Sequence, residues 1–420
     1  MEKIIINGGL SLNGSIHISG SKNAALPIMA SCILTDDELQ LSNVPNLNDI
    51  LTMSKVLSSL GVKVNEEDIS DNKITLQYFD SSKSIAEYDL VRKMRASILV
   101  LGPLLARKRE ATVSLPGGCA IGARPVDIHI NALQNLGAEF TLDQGYIKCK
   151  ASKGLVGCRI ELPKISVGAS ESIIMAATLA QGESEIKNIA IEPEVIDLID
   201  CLKLMGATIE MNGERTIMIQ GVDQLHGASH VIIPDRIETL TYTIAGLMNA
   251  ENLLIKGINV KHVKNVLDIL HKLNLDLSVV DNEISTKKSF IEEGLEIDTC
   301  EYPGFPTDLQ AQIMVLMSLG KKKSVIRENI FENRFMHVPE LNRMGANIEI
   351  SGTKAIIHPC ENFFGAQVMA TDLRASVSLV LAGLVAKGET QLNRIYHLDR
   401  GYERIERKLQ TCGADIKRVQ

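Results

Sequence analysis

The sequence predicts an α/β (α+β) fold made of six copies of one unit of roughly 70 residues, grouped as two domains of three. Three observations carry that prediction. A glycine-centred signature returns at near-constant spacing, an amphipathic helix precedes each copy, and a second, almost wholly apolar helix lies further upstream. A chain of 420 residues is also too long for a single ordinary core.

The signature reads SLGVKV at 59–64, NLGAEF at 135–140, LMGATI at 204–209, LNLDL at 273–277, RMGANI at 343–348 and TCGADI at 411–416. Gly61, Gly137, Gly206, Asn274, Gly345 and Gly413 stand at its centre. Glycine, or once asparagine, supplies the left-handed cap that ends a helix before an alternating strand such as ATIEM or ANIEI. The stretches before it, ILTMSKVLSSL, DIHINALQNL, VIDLIDCLKLM, VKNVLDILHKL, HVPELNRM and GYERIERKLQ, repeat apolar residues at i, i+3, i+4 and i+7. That spacing is the stripe of an amphipathic helix.

The second helix opens near residues 22, 95, 169, 238, 309 and 374, about 40 residues before the matching cap. Its copies, such as SKNAALPIMASCIL and DLRASVSLVLAGLVA, are rich in small residues and apolar nearly all round, which predicts burial. Three units each give two domains, 21–230 and 231–420, with 1–20 joining the second and supplying strands to the last unit. The break falls at VIIPDRIETL, where Asp235 and Glu238 have the spacing of a capping box behind Pro234.

Composition narrows the function class. The chain is 45% hydrophobic and 23% charged, which is globular rather than disordered. A net charge of −7 argues against a nucleic-acid partner. No run of apolar residues is long enough to span a membrane, and MEKIIINGGL lacks a signal-peptide pattern. Eight scattered cysteines without a CxxC pair give no zinc site and no disulfide framework, so a reducing cytoplasm is expected. P-loop, GxGxxG and HExxH motifs are missing, so neither a nucleotide cofactor nor a metal is indicated. Most of the dispersed histidines read as surface or capping residues, and KKK at 321–323 as a solvated turn.

Charges at the helix openings point to an anion. A helix N-terminus carries partial positive charge and favours Asp or Glu. Lys22, Arg95 and Arg374 stand there instead, at equivalent places in three units. An anion between each cation and the exposed N–H groups would resolve the conflict. The plainer resolution is a nearby acid, such as Asp372 for Arg374. The fifth opening carries Asp308, either an ordinary capping carboxylate or a general base for a substrate hydroxyl. The loop LPGGCAIGARPVD (115–127) holds Cys119 five residues from Arg124, and exposure beside a cation makes a thiol reactive. Cys32, Cys158 and Cys201 read as buried and inert.

Long motifs then match a known family. SGSKNAALP (19–27), VRKMRASI (91–98), the Cys119 loop, FPTDLQAQ (305–312), FENRFMHVPEL (331–341), GAQVMATDLRAS (365–376) and YHLDRGYERIE (396–406) resemble the UDP-N-acetylglucosamine 1-carboxyvinyltransferases. These enolpyruvyl transferases open bacterial peptidoglycan synthesis. The resemblance implies two inside-out α/β barrel domains, each of three βαβαββ-type units, closing over a central cleft. It implies phosphoenolpyruvate and UDP-N-acetylglucosamine as substrates, with no cofactor and no obligate protein partner.

The same resemblance implies the site. Lys22, Asn23, Arg124 and Arg400 match the phosphoenolpyruvate-binding positions, with Arg334 and Arg374 also lining the cleft. Cys119 matches the proton donor, which also forms a thioether-type adduct and is the target of fosfomycin. Asp308 matches the base on the sugar hydroxyl, with Asp372 nearby. The nucleotide sugar matches Arg95, Arg124, Pro125, Val126, Asp127, Ile128, Lys164, Ser166, Val167, Gly168, Asp308 and Ile330. Leu99 and Asn48 depart from some members, which carry an aromatic and a basic residue there.

Three rivals are weaker. A 5-enolpyruvylshikimate-3-phosphate synthase shares fold and chemistry but lacks the cysteine loop. An RNA 3′-phosphate cyclase conflicts with the acidic balance and the missing adenylation histidine. A catalytically inactive regulatory paralogue conflicts with intact Lys22, Cys119, Asp308 and Arg400.

Overall fold

The structure is a computed structural model describing residues 2–65, 71–80, 82–92, 94–115 and 126–420. Among these the strands form six four-stranded sheets of one topology. In one, Arg159–Glu161 runs parallel to Glu183–Lys187, which lies antiparallel to Thr216–Gln220, itself antiparallel to Thr208–Met211. No described sheet hydrogen-bonds to another, so the sheets do not join into one closed barrel.

The described chain divides into two compact units, residues 20–115 with 126–233, and residues 2–19 with 234–420. Each has its own apolar core. In the first, helices Leu101–Lys108 and Val167–Ala177 pack on each other. Helix Lys22–Ser31 joins them through the 3-10 turns Cys32–Leu34 and Arg95–Val100. In the second, helices Arg236–Asn249, Gln310–Ser318 and Ser376–Val385 all touch one another. These helices are buried on nearly every face, as their small and apolar sequences require. The striped helix Val260–Lys272 buries one side only, through Val263, Val266, Leu267 and Leu270.

All six cap residues adopt the left-handed conformation, with φ of 91°, 95°, 98°, 54°, 98° and 91° from Gly61 to Gly413. Each helix therefore turns directly into its strand, and the repeat is real in three dimensions.

The leading segment serves two units rather than the last alone. Lys3–Asn7 is inserted between Glu389–Asn393 and Asp415–Val419, whereas Leu12–His17 pairs with Ala250–Lys256 of the fourth unit. Ala228–Val231 likewise returns to pair with Leu39–Ser42. Each trio is closed by a strand from outside its own repeat.

Two smaller expectations need correction. Asp235 caps its helix, accepting from the N–H groups of Ile237 and Glu238, but the reciprocal half of the capping box is not made. Glu238 instead accepts from the Ser19 N–H and from Lys408, while the Asp235 N–H donates to the Ser19 carbonyl. Cys32 and Cys201 are buried, and burial pushes the Cys201 thiol up to about 12, but Cys158 is only half-buried. His129 and His337 are buried and are exceptions to the surface or capping majority. No helix among the described residues is long and apolar enough to cross a membrane.

Gly20 fixes where the first buried helix starts. A Cβ there would fall 1.7 Å from the Asn43 carbonyl oxygen. Gly20→Ala is therefore expected to cost about 1–3 kcal/mol and to displace the Ser21 cap of helix Lys22–Ser31, seen as a lower urea midpoint.

Candidate functional site

In the unit formed by residues 2–19 and 234–420, Asp308 lies in the 3-10 turn Thr307–Leu309 that leads into helix Gln310–Ser318. Its carboxylate is partly exposed and meets two buried guanidinium groups. Arg334 donates from Nη2 to Oδ1 at 2.7 Å, and Nε of Arg374 lies 3.5 Å from Oδ2. Burial opposes the charge of Arg334, but Asp308, Asp372 and Glu328 more than offset it and raise its pKa.

Arg374 is only 1% exposed, and it does not pair with Asp372 as expected. It donates to Asp235 Oδ2 at 3.0 Å and to the Gly401 carbonyl at 3.2 Å, and its guanidinium lies over the Tyr402 ring. Asp372 has a different task. Its Oδ1 accepts from the backbone N–H groups of Arg374 and Ala375, at 2.7 Å each, and so shapes the turn that presents Arg374.

The surrounding shell is polar and tightly bonded. Glu328 accepts from the Thr307 hydroxyl and from the Ile330 and Phe331 N–H groups, which holds Ile330 to the Asp308 turn. Gln312 donates to the Asp308 carbonyl and to the Tyr402 hydroxyl. Burial pushes the His337 imidazole down to about 4, against the pull of Asp372 and with the help of Arg334. It is therefore neutral near pH 7. Arg400 closes the 3-10 turn Leu398–Arg400 next to Gly401.

In the unit formed by residues 20–115 and 126–233, Lys22 is the first residue of helix Lys22–Ser31, behind the Ser21 cap. The helix-end conflict is resolved by an acid: Lys22 Nζ lies 2.9 Å from Asp49 Oδ2, both side chains 5% exposed. Asp49 comes from the first turn of helix Asn48–Ser59. Asn23 is half-buried, Asn48 exposed and Leu99 buried.

A second group in that unit gathers around His129. Helix Asp127–Asn135 and helix Val167–Ala177 pack together, with Gly168 against the His129 ring, where a Cβ would stand 3.0 Å from Cε1. Ser166 caps the second helix by accepting from the Ala169 N–H, and His129 Nδ1 lies 3.3 Å from the Ser172 hydroxyl. Burial pushes His129 down to about 4, Arg95 adding to the effect and Asp127 opposing it. Arg95, Asp127, Ile128, Ser166, Val167 and Gly168 therefore share one neighbourhood. The Val167 helix has no acid in its first turn, so its N–H groups are suited to an anion. Val126 is buried there, and Lys164 is exposed.

Cys119, Arg124 and Pro125 lie outside the described residues. Sequence reasoning missed Asp235, Asp49, Glu328 and His129. Only Asp235 left a sequence signal, its capping pattern, and that signal pointed to a helix end rather than to Arg374. Among the described residues no group of three or more His, Cys, Asp or Glu is arranged to hold a metal.

The family model for EPSP synthase (3-phosphoshikimate 1-carboxyvinyltransferase) matches residues 6–409. A UDP-N-acetylglucosamine 1-carboxyvinyltransferase of Gluconobacter oxydans is 52% identical over 419 residues, covering 100% of both chains. One from Caulobacter vibrioides is 50% identical over 422 residues, covering 100% of this chain and 98% of its own. Among solved structures, the enolpyruvyl transferase NikO from Streptomyces tendae superposes with a TM-score of 0.90 at 25% identity, covering 100% of this chain and 99% of its own. EPSP synthase from Acinetobacter baumannii gives 0.77 at 16% identity with 100% of both chains covered, a likeness of fold alone.

Proposed function

Because this chain belongs to the EPSP synthase family and, within it, to the UDP-N-acetylglucosamine 1-carboxyvinyltransferases, we propose that it transfers the enolpyruvyl group of phosphoenolpyruvate to the 3-hydroxyl of UDP-N-acetylglucosamine. It is an enolpyruvyl transferase. The observation that carries the reading is identity of about half the residues across the whole chain to enzymes of that name.

The chemistry divides among the residues as follows. The sugar hydroxyl attacks C2 of the enol while C3 gains a proton, giving a tetrahedral ketal. Elimination then expels phosphate, and C3 returns a proton as the double bond re-forms. Asp308 takes the hydroxyl proton. Its two arginine partners hold it in place by charge, and a base must be so positioned before the substrate arrives. Cys119 gives the proton to C3 and is the nucleophile that fosfomycin alkylates.

Lys22, Asn23, Arg124 and Arg400 take the phosphate and carboxylate of phosphoenolpyruvate, with Arg334 and Arg374 contributing positive charge. Cations preorganised for the leaving phosphate stabilise the charge that develops on it. Arg95, Arg124 to Ile128, Lys164, Ser166 to Gly168, Asp308 and Ile330 take the nucleotide sugar, and Asp372 shapes the turn that carries Arg374. We place the enzyme in the cytoplasm at the first committed step of peptidoglycan synthesis.

The test is a coupled phosphate assay. Phosphate release is expected when phosphoenolpyruvate and UDP-N-acetylglucosamine are supplied together, and its loss in Cys119→Ser. Turnover with shikimate 3-phosphate, and none with the UDP-sugar, would sink the reading.

A further inference from the structure

Arg374 is held between two carboxylates, and they hold different edges of it. Nη2 donates to Asp235 Oδ2 at 3.0 Å, Nη1 donates to the Gly401 carbonyl at 3.2 Å, and the flat face lies on Tyr402. That leaves Nε toward Asp308, where the separation of 3.5 Å makes an ion pair but no hydrogen bond. Arg374 and Asp235 are 1% and 3% exposed, so neither can turn to solvent for a substitute partner. Arg334, by contrast, grips Asp308 at 2.7 Å.

We propose that Asp235 is a positioning residue for the reaction: by anchoring the far edge of Arg374, it holds that guanidinium at ion-pair distance from Asp308 and short of a full hydrogen bond. The consequence is chemical. Each further charge-assisted hydrogen bond to a carboxylate stabilises its ionised form and makes it a weaker base. A base must remain able to accept a proton in the transition state. Asp235 thus keeps Arg374 close enough to aim Asp308 without quenching it. The inference rests on the proposed role of Asp308 as base.

The charged groups around this pair all bear on its titration. Arg334 and Arg374 face Asp308 directly, and Asp372 and Glu328 act on Arg334. The charges of Asp372 and Arg334 act on His337, and those of Arg374 and Asp235 act on Tyr402. Removing the negative charge of Asp235 changes Asp308 in the same direction as freeing Arg374 does. Both favour the Asp308 anion.

The experiment measures kcat and KM against pH for the full-length enzyme and for Asp235→Asn, Asp235→Glu and Asp308→Asn. Asparagine is as good a helix cap as aspartate, so the Arg236–Asn249 start is kept. In Asp235→Asn the acid limb of kcat is expected to move down by about one pH unit, with kcat several-fold lower and KM for both substrates little changed. Asp235→Glu keeps the charge that supports folding but moves the anchor by one methylene toward Arg374, so kcat should also fall. Wild-type kcat and an unmoved acid limb in Asp235→Asn, or wild-type kcat in Asp235→Glu, with Asp308→Asn inactive, would overturn the positioning role alone. Full activity in Asp308→Asn would instead remove the reading of Asp308 as base.

Discussion

Asp308→Asn is expected to lower kcat by about two to four orders of magnitude while the protein stays folded and still binds both substrates. Asparagine has the same shape, and its amide oxygen can still accept from Arg334, which lies 2.7 Å from Oδ1 in the native enzyme. What is lost is the capacity to take a proton. The substitution also removes one negative charge from a site holding two buried arginines, so anionic substrates should bind no worse. A drop in kcat with KM near or below its native value is the signature of an interaction made only in the transition state. Steady-state phosphate release over pH 5 to 9 decides it. If instead KM rose with kcat unchanged, Asp308 would be a binding residue and the base would lie elsewhere.

The fold was legible in the sequence because its signals are local. A left-handed cap after an amphipathic stripe needs only neighbouring residues, and all six caps took the conformation read from Gly61, Gly137, Gly206, Asn274, Gly345 and Gly413. The buried helices were legible for the same reason: Ser376–Val385 is apolar on every face. Destinations of strands were less so. Nothing in KIIIN or LNGSIH tells which sheet each will join, since pairing partners stand hundreds of positions away.

The site was legible in part. Lys22, Arg95 and Arg374 stand out as cations at helix openings, where an isolated helix end would favour an anion. In the fold, Lys22 and Arg374 found carboxylates first, from Asp49 and Asp235. Asp372, two positions away, looked like the partner of Arg374, but its carboxylate was already committed to backbone N–H groups. Asp235 is 139 positions distant and had an ordinary reading as a helix cap. It performs both tasks, capping with Oδ1 and pairing with Oδ2. One oxygen for each task is a detail that no local pattern carries.

That double duty sets the size of the second large effect. Arg374→Met should destabilise the enzyme by about 3–5 kcal/mol, because it removes one partner of a buried pair and leaves the Asp235 carboxylate, 3% exposed, without its cation. Methionine fills much of the same volume and still packs on Tyr402, so little of the loss comes from a cavity. The melting temperature should fall on the order of 10 °C for a unit of this size. The control is Asp235→Asn in the same background. With both charges gone no buried ion is left uncompensated, and the cap remains, so the double variant should recover a large part of the loss. A double-mutant cycle from thermal or urea unfolding of all four proteins measures that coupling. Additive effects of the two substitutions would mean that the charges do not support each other, and that the 3.0 Å contact is an accident of packing. Strong coupling, together with loss of turnover in the double variant despite its recovered stability, would separate what the pair does for the fold from what it does for Asp308.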